Sequence, residues 1–442
     1  MKAIIRPETE MKDSGIEWIG NIPRNWKMRK INSLFENIGS GTTPNSNIEE
    51  YYQGMINWLQ SGDINGTIVK STKKHISNEI VSNTSALTVY KAPFIAIAMY
   101  GASIGNMSIV DIDACTNQAC CVLVKPTKDI YMQFAFWGLM AAKEELVLSS
   151  RGGGQPNISQ NIIKQLRIPV PNISEQENIA DYLDETCSKI DEIIAEAKAS
   201  IDEYKELKQS VIFEAVTKGL DKNVEMKDSG YDFIGDIPSK WEMCKVRHLG
   251  TAQNGISIGG DAFGSGYSFV SYGDVYKNYS LPKTVDKLVR SSEEDRKRYS
   301  VEKCDWFFTR TSETIEEVGF SCVCEETIPD AVFAGFLIRV RPFNNRIYTR
   351  FAKYYFRSNH LRTFFVKEMN LVTRASLAQG LLKDAPVVVP PYDEQIEIAN
   401  YLENKCTIID GVIKDKESTI KDLESYKKSL IYEVVTGKRR VV

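Results

Sequence analysis

The chain has 442 residues, of which 43% are hydrophobic and 26% charged, and its formal net charge is −3 at pH 7. This composition is ordinary for a soluble protein, and the length suits about two to four domains with cores of their own. No run of about 18 apolar residues occurs, which argues against a membrane-spanning helix.

The first residues and the cysteines indicate a cytoplasmic location. Residues 1–10 lack the apolar stretch of a secretion signal. The 9 cysteines are an odd number without Cys-x-x-Cys pairs, and there are only 3 histidines. We therefore expect reduced thiols and no structural zinc or other metal site.

A compact element near the start of the chain occurs twice. Gly15, Gly20 and Pro23 punctuate the segment 11–28 as turn residues. Of its 18 positions, 11 are identical in residues 226–243. The chain therefore contains an internal duplication.

A first globular region of mixed α/β type is predicted to follow. The predicted turn and β-like runs are Gly39–Pro44, Ile56–Leu59 ending at Ser61–Ile64, Phe94–Tyr100 and Ala119–Val124. Residues 151–157 form a glycine-rich loop, whose Gln155 and Asn157 amides can meet base edges or simply belong to a turn. Leu166–Pro171 reads as an edge strand stopped by proline.

A long amphipathic helix is predicted over residues 174–218, with Ser174 as its N-cap. Its apolar residues recur three and four positions apart, which is typical of a coiled-coil seam. At 1.5 Å per residue it would span about 65 Å. A shift of 219 residues places Glu175–Gln176 on Glu394–Gln395, so a second such helix follows later.

The second globular region keeps the landmarks of the first while the sequence between them diverges. Phe269–Val275 matches Trp58–Ile64, and Ala385–Pro391 matches Leu166–Pro171. The loop 152–158 has no evident counterpart. Two similar frames with different surfaces are what recognition of two different targets requires.

The predicted fold is α/β (α+β), with two globular domains joined and spaced by two long antiparallel coiled-coil helices in an internal pseudo-twofold repeat. The predicted domains are 1–170, 171–220 (first helix and linker), 221–391, and 392–442 (second helix and tail). The tail and residues 1–10 would mimic the internal linker in a cyclic arrangement. The residues expected to pair the helices are Ile190, Ile194, Ile201, Val211, Ile409, Ile413, Ile420 and Leu430.

The charge is unevenly distributed. Residues 174–218 and 393–438 together carry −10, which leaves +7 on the rest of the chain. Acidic spacers with mildly basic globular domains are compatible with DNA binding, although ordinary solvated surfaces would show the same balance. Two domains held apart by about one or two turns of B-DNA, at about 34 Å per turn, would suit a bipartite site.

The starts of the two long helices share a motif. Residues 171–180 read Pro-Asn-Ile-Ser-Glu-Gln-Glu-Asn-Ile-Ala, and residues 391–399 read Pro-Tyr-Asp-Glu-Gln-Ile-Glu-Ile-Ala. Gly-Asp-Ile at 62–64 and Gly-Asp-Val at 273–275 follow a strand in each half. Over essentially its whole length, the chain resembles the specificity (S) subunit of type I restriction-modification systems.

This resemblance implies a DNA-recognition subunit without catalysis of its own. Residues 1–170 and 221–391 would be target recognition domains that each read half of a split double-stranded DNA site through the major groove. The helices would set the spacing and dock two adenine-N6 methyltransferase subunits, which restriction and translocase subunits join. S-adenosylmethionine, ATP and Mg would bind to those partners, and no cofactor to this chain.

The candidate DNA contacts are basic and amide residues of the globular regions, which can hold phosphates or read base edges. They are Lys70, Lys73, Lys74, Arg151, Gln155, Asn157, Arg290, Arg296, Lys297, Arg298, Arg310 and Arg374.

Two other classes of function remain open. A non-enzymatic coiled-coil adaptor that binds two protein partners would share the repeat and the helices. A self-sufficient methyltransferase would need a cofactor motif, but no Gly-x-Gly-x-x-Gly occurs, and Val389–Tyr392 has a valine where the adenine methyltransferase motif has an amide or carboxylate.

Overall fold

The computed structural model describes residues 1–150, 157–312, 318–368 and 375–442. They form two compact units, which we call the first unit (1–197 with 418–442) and the second unit (198–417). Among the helices of these residues, none has the length and apolar character needed to cross a membrane.

The elements up to the first long helix are as follows. The strands are β1 (Ala3–Ile5), β2 (Met11–Asp13), β3 (Asn21–Pro23), β4 (Lys27–Lys30), β5 (Phe35–Ser40), β6 (Ile56–Leu59), β7 (Lys74–Ile76), β8 (Phe94–Ala98), β9 (Met107–Val110), β10 (Ala114–Thr116), β11 (Cys120–Pro126) and β12 (Arg167–Val170). The helices are α1 (Asn78–Asn83), α2 (Met132–Ala141), α3 (Lys143–Leu148), α4 (Gln160–Gln165) and α5 (Ile173–Lys218).

The remaining elements repeat much of this order. The strands are β13 (Met226–Asp228), β14 (Asp236–Pro238), β15 (Glu242–Lys245), β16 (Gly250–Asn254), β17 (Phe263–Val270), β18 (Leu288–Val289), β19 (Trp306–Thr309), β20 (Thr311–Ser312), β21 (Ser321–Val323), β22 (Val332–Phe333), β23 (Leu337–Pro342), β24 (Ala375–Ser376), β25 (Pro386–Val389) and β26 (Arg439–Val441). The helices are α6 (Tyr272–Lys277), α7 (Glu293–Arg298), α8 (Thr349–Tyr355), α9 (Asn359–Glu368), α10 (Gln379–Asp384) and α11 (Tyr392–Val435).

Each unit is built on a four-stranded antiparallel sheet. Its strand order is β5-β11-β8-β9 in the first unit and β16-β23-β19-β21 in the second. The whole of β8, Phe-Ile-Ala-Ile-Ala, is buried, as its unbroken apolar sequence requires. Each unit also contains a parallel pair, β6 with β10 and β17 with β22. The predicted mixed fold with an internal repeat is confirmed.

The duplicated leader is a hairpin that anchors a tryptophan. Met11 pairs with Pro23 in one copy, and Met226 pairs with Pro238 in the other. Trp26, which is fully buried, follows the first hairpin and donates its indole N–H to Glu175 Oε2 at 3.0 Å. In this way the leader is fastened to the start of α5.

The second copy makes the same contact. The Trp241 indole N–H donates to Glu394 Oε2 at 2.8 Å. The glutamate of the shared Glu-Gln motif is therefore the acceptor that holds each leader tryptophan. Because the two partners are about 150 residues apart in the chain, this role is invisible in the local sequence.

The glutamine of the same motif is fully buried at each helix start. Gln176 Nε2 donates to the carbonyls of Asp129 (3.0 Å) and Pro171 (2.9 Å), and its Oε1 accepts from the Tyr131 amide at 2.8 Å. Gln395 makes the equivalent three bonds to Arg346, Pro390 and Tyr348. The side chain thus satisfies three backbone groups that would otherwise be buried without partners.

The helix α5 begins one residue earlier than predicted. It starts at Ile173, and Asn172 Oδ1 accepts from the Glu175 amide at 3.0 Å. The expectation that Ser174 caps the helix is therefore wrong. Asn is as good an N-cap as Ser, so local preference alone does not choose between the two.

The long helices run antiparallel where they meet. In the second unit, Lys208 Nζ binds Asp410 at 2.7 Å, and Lys416 lies 5.9 Å from the Tyr204 ring centroid. Within the first unit, Lys427 Nζ binds Asp191 at 2.6 Å. Of the predicted pairing residues, Val211 and Ile413 are half-buried, and the following are buried: Ile190, Ile194, Ile201, Ile409, Ile420 and Leu430.

The two ends of the chain pair in the first unit. Ala3 pairs with Val441 as β1 and β26 form a two-stranded antiparallel sheet. Arg6, which is buried, donates Nε to the Gly437 carbonyl at 3.0 Å and Nη2 to Glu175 at 2.8 Å. The expected closure of the tail onto the first residues is present.

Candidate nucleic-acid interface

Backbone hydrogen bonds gather several strand ends of the first unit at one edge, which we call the first rim (40–41, 59–60, 99–100, 117–120 and 157–158). The Asn117 amide donates to the Leu59 carbonyl at 3.1 Å, at the end of the parallel pair. The Met99 amide donates to Ala119 at 2.8 Å, and the Ile158 amide donates to Met99 at 2.7 Å. The turn 117–120 therefore sits in a rigid frame.

The second unit repeats these bonds in its own rim (254–255, 270–271, 310–311, 334–337 and 376–377). The Ala334 amide donates to Val270 at 3.0 Å. The Arg310 amide donates to Phe336 at 2.9 Å, and the Leu377 amide donates to Arg310 at 2.7 Å. The turn 334–337 thus occupies the position of 117–120.

A glycine closes each rim. A Cβ on Gly41 would lie 1.7 Å from the Thr116 carbonyl oxygen, and one on Gly255 would lie 2.1 Å from the Ala334 carbonyl oxygen. No other residue allows the backbones to approach this closely. The first glycine lies in the segment predicted as a turn, where the sequence alone showed no reason for it.

The Gly-Asp of each half serves as a capping element beside the rim. Asp63 Oδ2 accepts from the Gln60 amide at 2.9 Å, and Asp274 Oδ2 accepts from the Ser271 amide at 2.8 Å. Both aspartates turn the chain at the end of the strand in the parallel pair. The predicted correspondence of these two segments is confirmed.

The expectation that the loop 152–158 lacks a counterpart is wrong for its described part. Asn157 forms a β-bridge with Tyr100, and β24 pairs with β20 at the equivalent place. Asn157 and Ser376 are 219 residues apart, as are the two helix starts, but their surrounding sequences differ too much for the match to be seen. The predicted contacts Arg151, Gln155 and Arg374 lie outside the described residues.

The predicted lysines of the first unit are exposed. Lys74 lies on β7, an outer strand of the sheet β10-β6-β7, opposite Trp58. Lys70 and Lys73 precede it in the chain, and the structure shows no ion pair for any of the three among the residues that it describes. Their charges are available to an anionic partner. Asn157 is exposed too, but on the first rim.

The predicted cations of the second unit fall into two groups. Arg290, Arg296, Lys297 and Arg298 lie on or next to α7, whereas Arg310 is half-buried in the second rim. Lys297 is exposed and pairs with Glu293 at 2.8 Å, one turn away on the helix.

Arg296 is engaged inside the unit. Its guanidinium lies 3.7 Å from the Tyr267 ring centroid, 3.4 Å from Asp330, and donates to the Ser291 carbonyl at 2.8 Å. Arg290 also donates, to the Asp261 carbonyl at 2.5 Å. These contacts support the local fold, and they hold the α7 cations in a defined place.

Three neutral residues in the rims or next to them were not singled out from the sequence. Thr43 and Gln118 are exposed and joined by a hydrogen bond of 2.5 Å, and the Phe336 side chain is 63% exposed. The exposure of a phenylalanine in a tightly bonded turn is a signal only a structure provides.

Burial favours the protonated form of several thiols in this chain. All nine cysteines are free. Burial raises the pKa of Cys115 to about 11 and that of Cys121 to about 12, so both stay protonated at neutral pH. Among the described residues, no group of His, Cys, Asp and Glu is arranged to hold a metal ion.

The duplicated frame agrees with a known family. The model of the type I restriction modification DNA specificity domain matches residues 23–203 and 238–421. The chain belongs to this family. Each match runs from the end of a leader hairpin into a long helix, so the family's unit is present twice.

Curated relatives are specificity subunits of type I restriction enzymes. The MjaIX subunit of Methanocaldococcus jannaschii is 25% identical over 264 residues, covering 57% of this chain and 56% of the relative. The EcoKI subunit of Escherichia coli K12 is 23% identical, covering 78% and 74%. The putative MjaX subunit is 20% identical over 96% of both chains. The chain spans about half the length of the first three curated relatives it matches, at 56%, 51% and 48%.

Solved structures share the fold. A chain solved in work on complex assembly and conformational transition of the type I R-M system has a TM-score of 0.72 at 15% identity, covering 94% of this chain and 99% of that one. The HsdS subunit of Thermoanaerobacter tengcongensis has a TM-score of 0.52 at 15% identity, covering 94% and 98%. The fold of this specificity-family chain therefore recurs along nearly its whole length.

Proposed function

We propose that this chain is the DNA sequence-recognition subunit of a type I restriction-modification complex. Each globular region reads one half of a bipartite site through the major groove. The long helices set the spacing between the halves and dock adenine-N6 methyltransferase subunits.

One observation carries the proposal. The two rims are built by equivalent backbone hydrogen bonds and equivalent glycines, but the side chains that they display differ. A common frame with different surfaces suits two different DNA half-sites. A scaffold for two copies of the same partner would keep the surfaces alike.

The chain itself is proposed to be non-catalytic. S-adenosylmethionine is assigned to the methyltransferase subunits, and ATP and Mg to the restriction subunits that join them. The domains are proposed to be 1–170 and 221–391 for recognition, with 171–220 and 392–442 as the helical spacers.

The basic residues would supply the sequence-independent part of the affinity. The exposed Lys70, Lys73 and Lys74 in one half, and Lys297 and Arg298 in the other, suit phosphate contacts. Arg310 in the second rim and Asn157 in the first suit contacts to base edges. Arg151, Gln155, Arg290, Arg296 and Arg374 remain candidates on sequence grounds.

The test is to express the chain with its methyltransferase partner in a host lacking adenine methylation and to map N6-methyladenine across the genome. A split, asymmetric motif that disappears when this chain is omitted is the expected result. Absence of methylation, or the same motif without this chain, would contradict the proposal and favour a protein-binding adaptor. S-adenosylmethionine binding by this chain alone would favour a self-sufficient methyltransferase.

A further inference from the structure

We infer that the turns 117–120 and 334–337 are the base-reading elements of the two rims, with Gln118 reading an adenine in one half-site and Phe336 contacting a thymine methyl in the other. This inference rests on the proposed function and deepens it by naming the reader and its base.

The first turn is held rigid from within. The Cys120 amide donates to the Asn117 carbonyl at 3.3 Å, which closes the turn. Asn117 Oδ1 accepts from the Ala119 amide at 3.1 Å and from Cys120 Sγ at 3.1 Å. The Ala119 side chain is buried, so Gln118 is the residue that the turn presents outward.

Gln118 is oriented before any ligand arrives. Thr43 Oγ1 donates to Gln118 Oε1 at 2.5 Å, across 75 residues of chain. Gly41 packs on the backbone of Thr116 just before the turn, and this close approach brings Thr43 to it. Oε1 keeps one lone pair, and the Nε2 hydrogens have no partner among the described residues.

This arrangement matches the requirement of one base. A glutamine amide recognises adenine in the major groove with two hydrogen bonds, because Oε1 accepts from N6 and Nε2 donates to N7. Thr43 fixes the amide plane without using both lone pairs of Oε1. The cost of ordering an exposed glutamine is thereby reduced before binding.

The second turn is held by equivalent backbone hydrogen bonds but exposes a different side chain. The Leu337 amide donates to the Ala334 carbonyl at 3.0 Å, and the Ile256 amide donates to Phe333 at 2.9 Å. The residue aligned with Gln118 is Gly335, and the outward side chain is that of Phe336, one position later, which is 63% exposed although its neighbour Leu337 is fully buried. An aromatic side chain can contact the methyl group of thymine, which only A·T pairs carry.

The experiment uses the assembled complex of this chain with its methyltransferase subunit. N6-methyladenine is mapped for the wild type and for Gln118→Ala, and the purified complexes are titrated with duplexes that vary one base pair of the site at a time. We expect Gln118→Ala to lose the requirement for one A·T pair in one half-site. The wild type should discriminate at that pair by about 5- to 150-fold, and the variant should not.

Four further variants separate the loss of base recognition from a loss of folding. Thr43→Val keeps Gln118 but removes its orientation, so discrimination at the same pair should fall, whereas Thr43→Ser should restore it. Gln53→Ala is the matched control, because Gln53 is exposed just ahead of β6, at the end opposite to the rim. Phe336→Ala should relax one A·T pair in the other half-site alone.

The outcomes are distinguishable from failure of the proposed function. If the wild type yields no bipartite motif, the proposed function fails. If it yields one that Gln118→Ala leaves unchanged, or that relaxes at a G·C pair, this inference is overturned while the function stands. Loss of both half-sites by Gln118→Ala, or relaxation of the same half-site by Gln118→Ala and Phe336→Ala, would overturn it as well.

Discussion

Replacement of Gln176 by methionine is expected to destabilise the first unit strongly. The substitution keeps the length of the side chain and removes all three hydrogen bonds to the backbone of Asp129, Tyr131 and Pro171. The site is closed to solvent, so water does not replace the lost bonds without a rearrangement.

The magnitude follows from the number of groups left without partners. A buried polar group that loses its partner costs about 1–3 kcal/mol. Three such groups give a loss of about 3–9 kcal/mol in the free energy of unfolding, partly offset by burial of the more apolar methionine. Since domains are typically stable by only about 5–15 kcal/mol, the first unit would become marginal.

Urea unfolding followed by tryptophan fluorescence measures this loss. Gln395→Met makes the same change at the start of α11 and should destabilise the second unit by a similar amount. Gln53→Met changes an exposed glutamine and should stay within about 0.5 kcal/mol of the wild type. A loss below about 1 kcal/mol for Gln176→Met would refute the reasoning, because three buried orphan groups cannot cost so little.

Three further predictions follow from named contacts. Burial lowers the pKa of His360 to about 3, below its unfolded value of about 6.5. The neutral His360 therefore contributes fully to stability above pH 6.5, and about 2 kcal/mol of the free energy of unfolding is lost on acidification to pH 5. Denaturant titrations at pH 7 and pH 5 should show this loss for the wild type, and His360→Asn should lose about 2 kcal/mol less over the same pH change. Ile190→Ala removes a buried side chain of the helix seam and should lower the free energy of unfolding by about 2–5 kcal/mol in denaturant titrations. Ile193→Ala changes an exposed side chain of the same helix and should lower it by about 0.5 kcal/mol or less. Equal effects of the two substitutions would exclude Ile190 from the seam. Replacing the three basic residues of 296–298 by alanine should weaken DNA binding by the assembled complex and flatten its salt dependence, and unchanged affinity and slope would remove them from the interface.

The repeat and the long helices could be predicted from the sequence because their signals are local. Identities at fixed offsets and a three-to-four periodicity survive without knowledge of the fold. The roles of Glu175 and Gln176 could not be predicted, since each acts on backbone or indole groups that are distant in the chain. The Glu-Gln motif could be recognised in the sequence, but its structural role could not.

The candidate interface was predictable only in part. Arg296 was selected because of its charge, but in the structure its guanidinium contacts Tyr267 and Asp330. These contacts cannot be predicted from the local sequence. An uncharged residue proposed to contact a base, such as Gln118, cannot be distinguished in the sequence from any other exposed glutamine. Their candidacy depends on a partner, Thr43, that the fold supplies from another strand end.

The composition of the two units has a consequence for synthesis on the ribosome. The second unit is continuous in the chain, whereas the first includes residues 418–442 and the β1–β26 pair. Residues 198–417 are all synthesised before residues 418–442, so the second unit can be complete in the nascent chain before the first. Folding would then run opposite to the usual amino-to-carboxyl order of domains. A nascent chain interrupted before residue 418 would lack β26 and its pairing with β1, although every strand end of both rims would already have been synthesised.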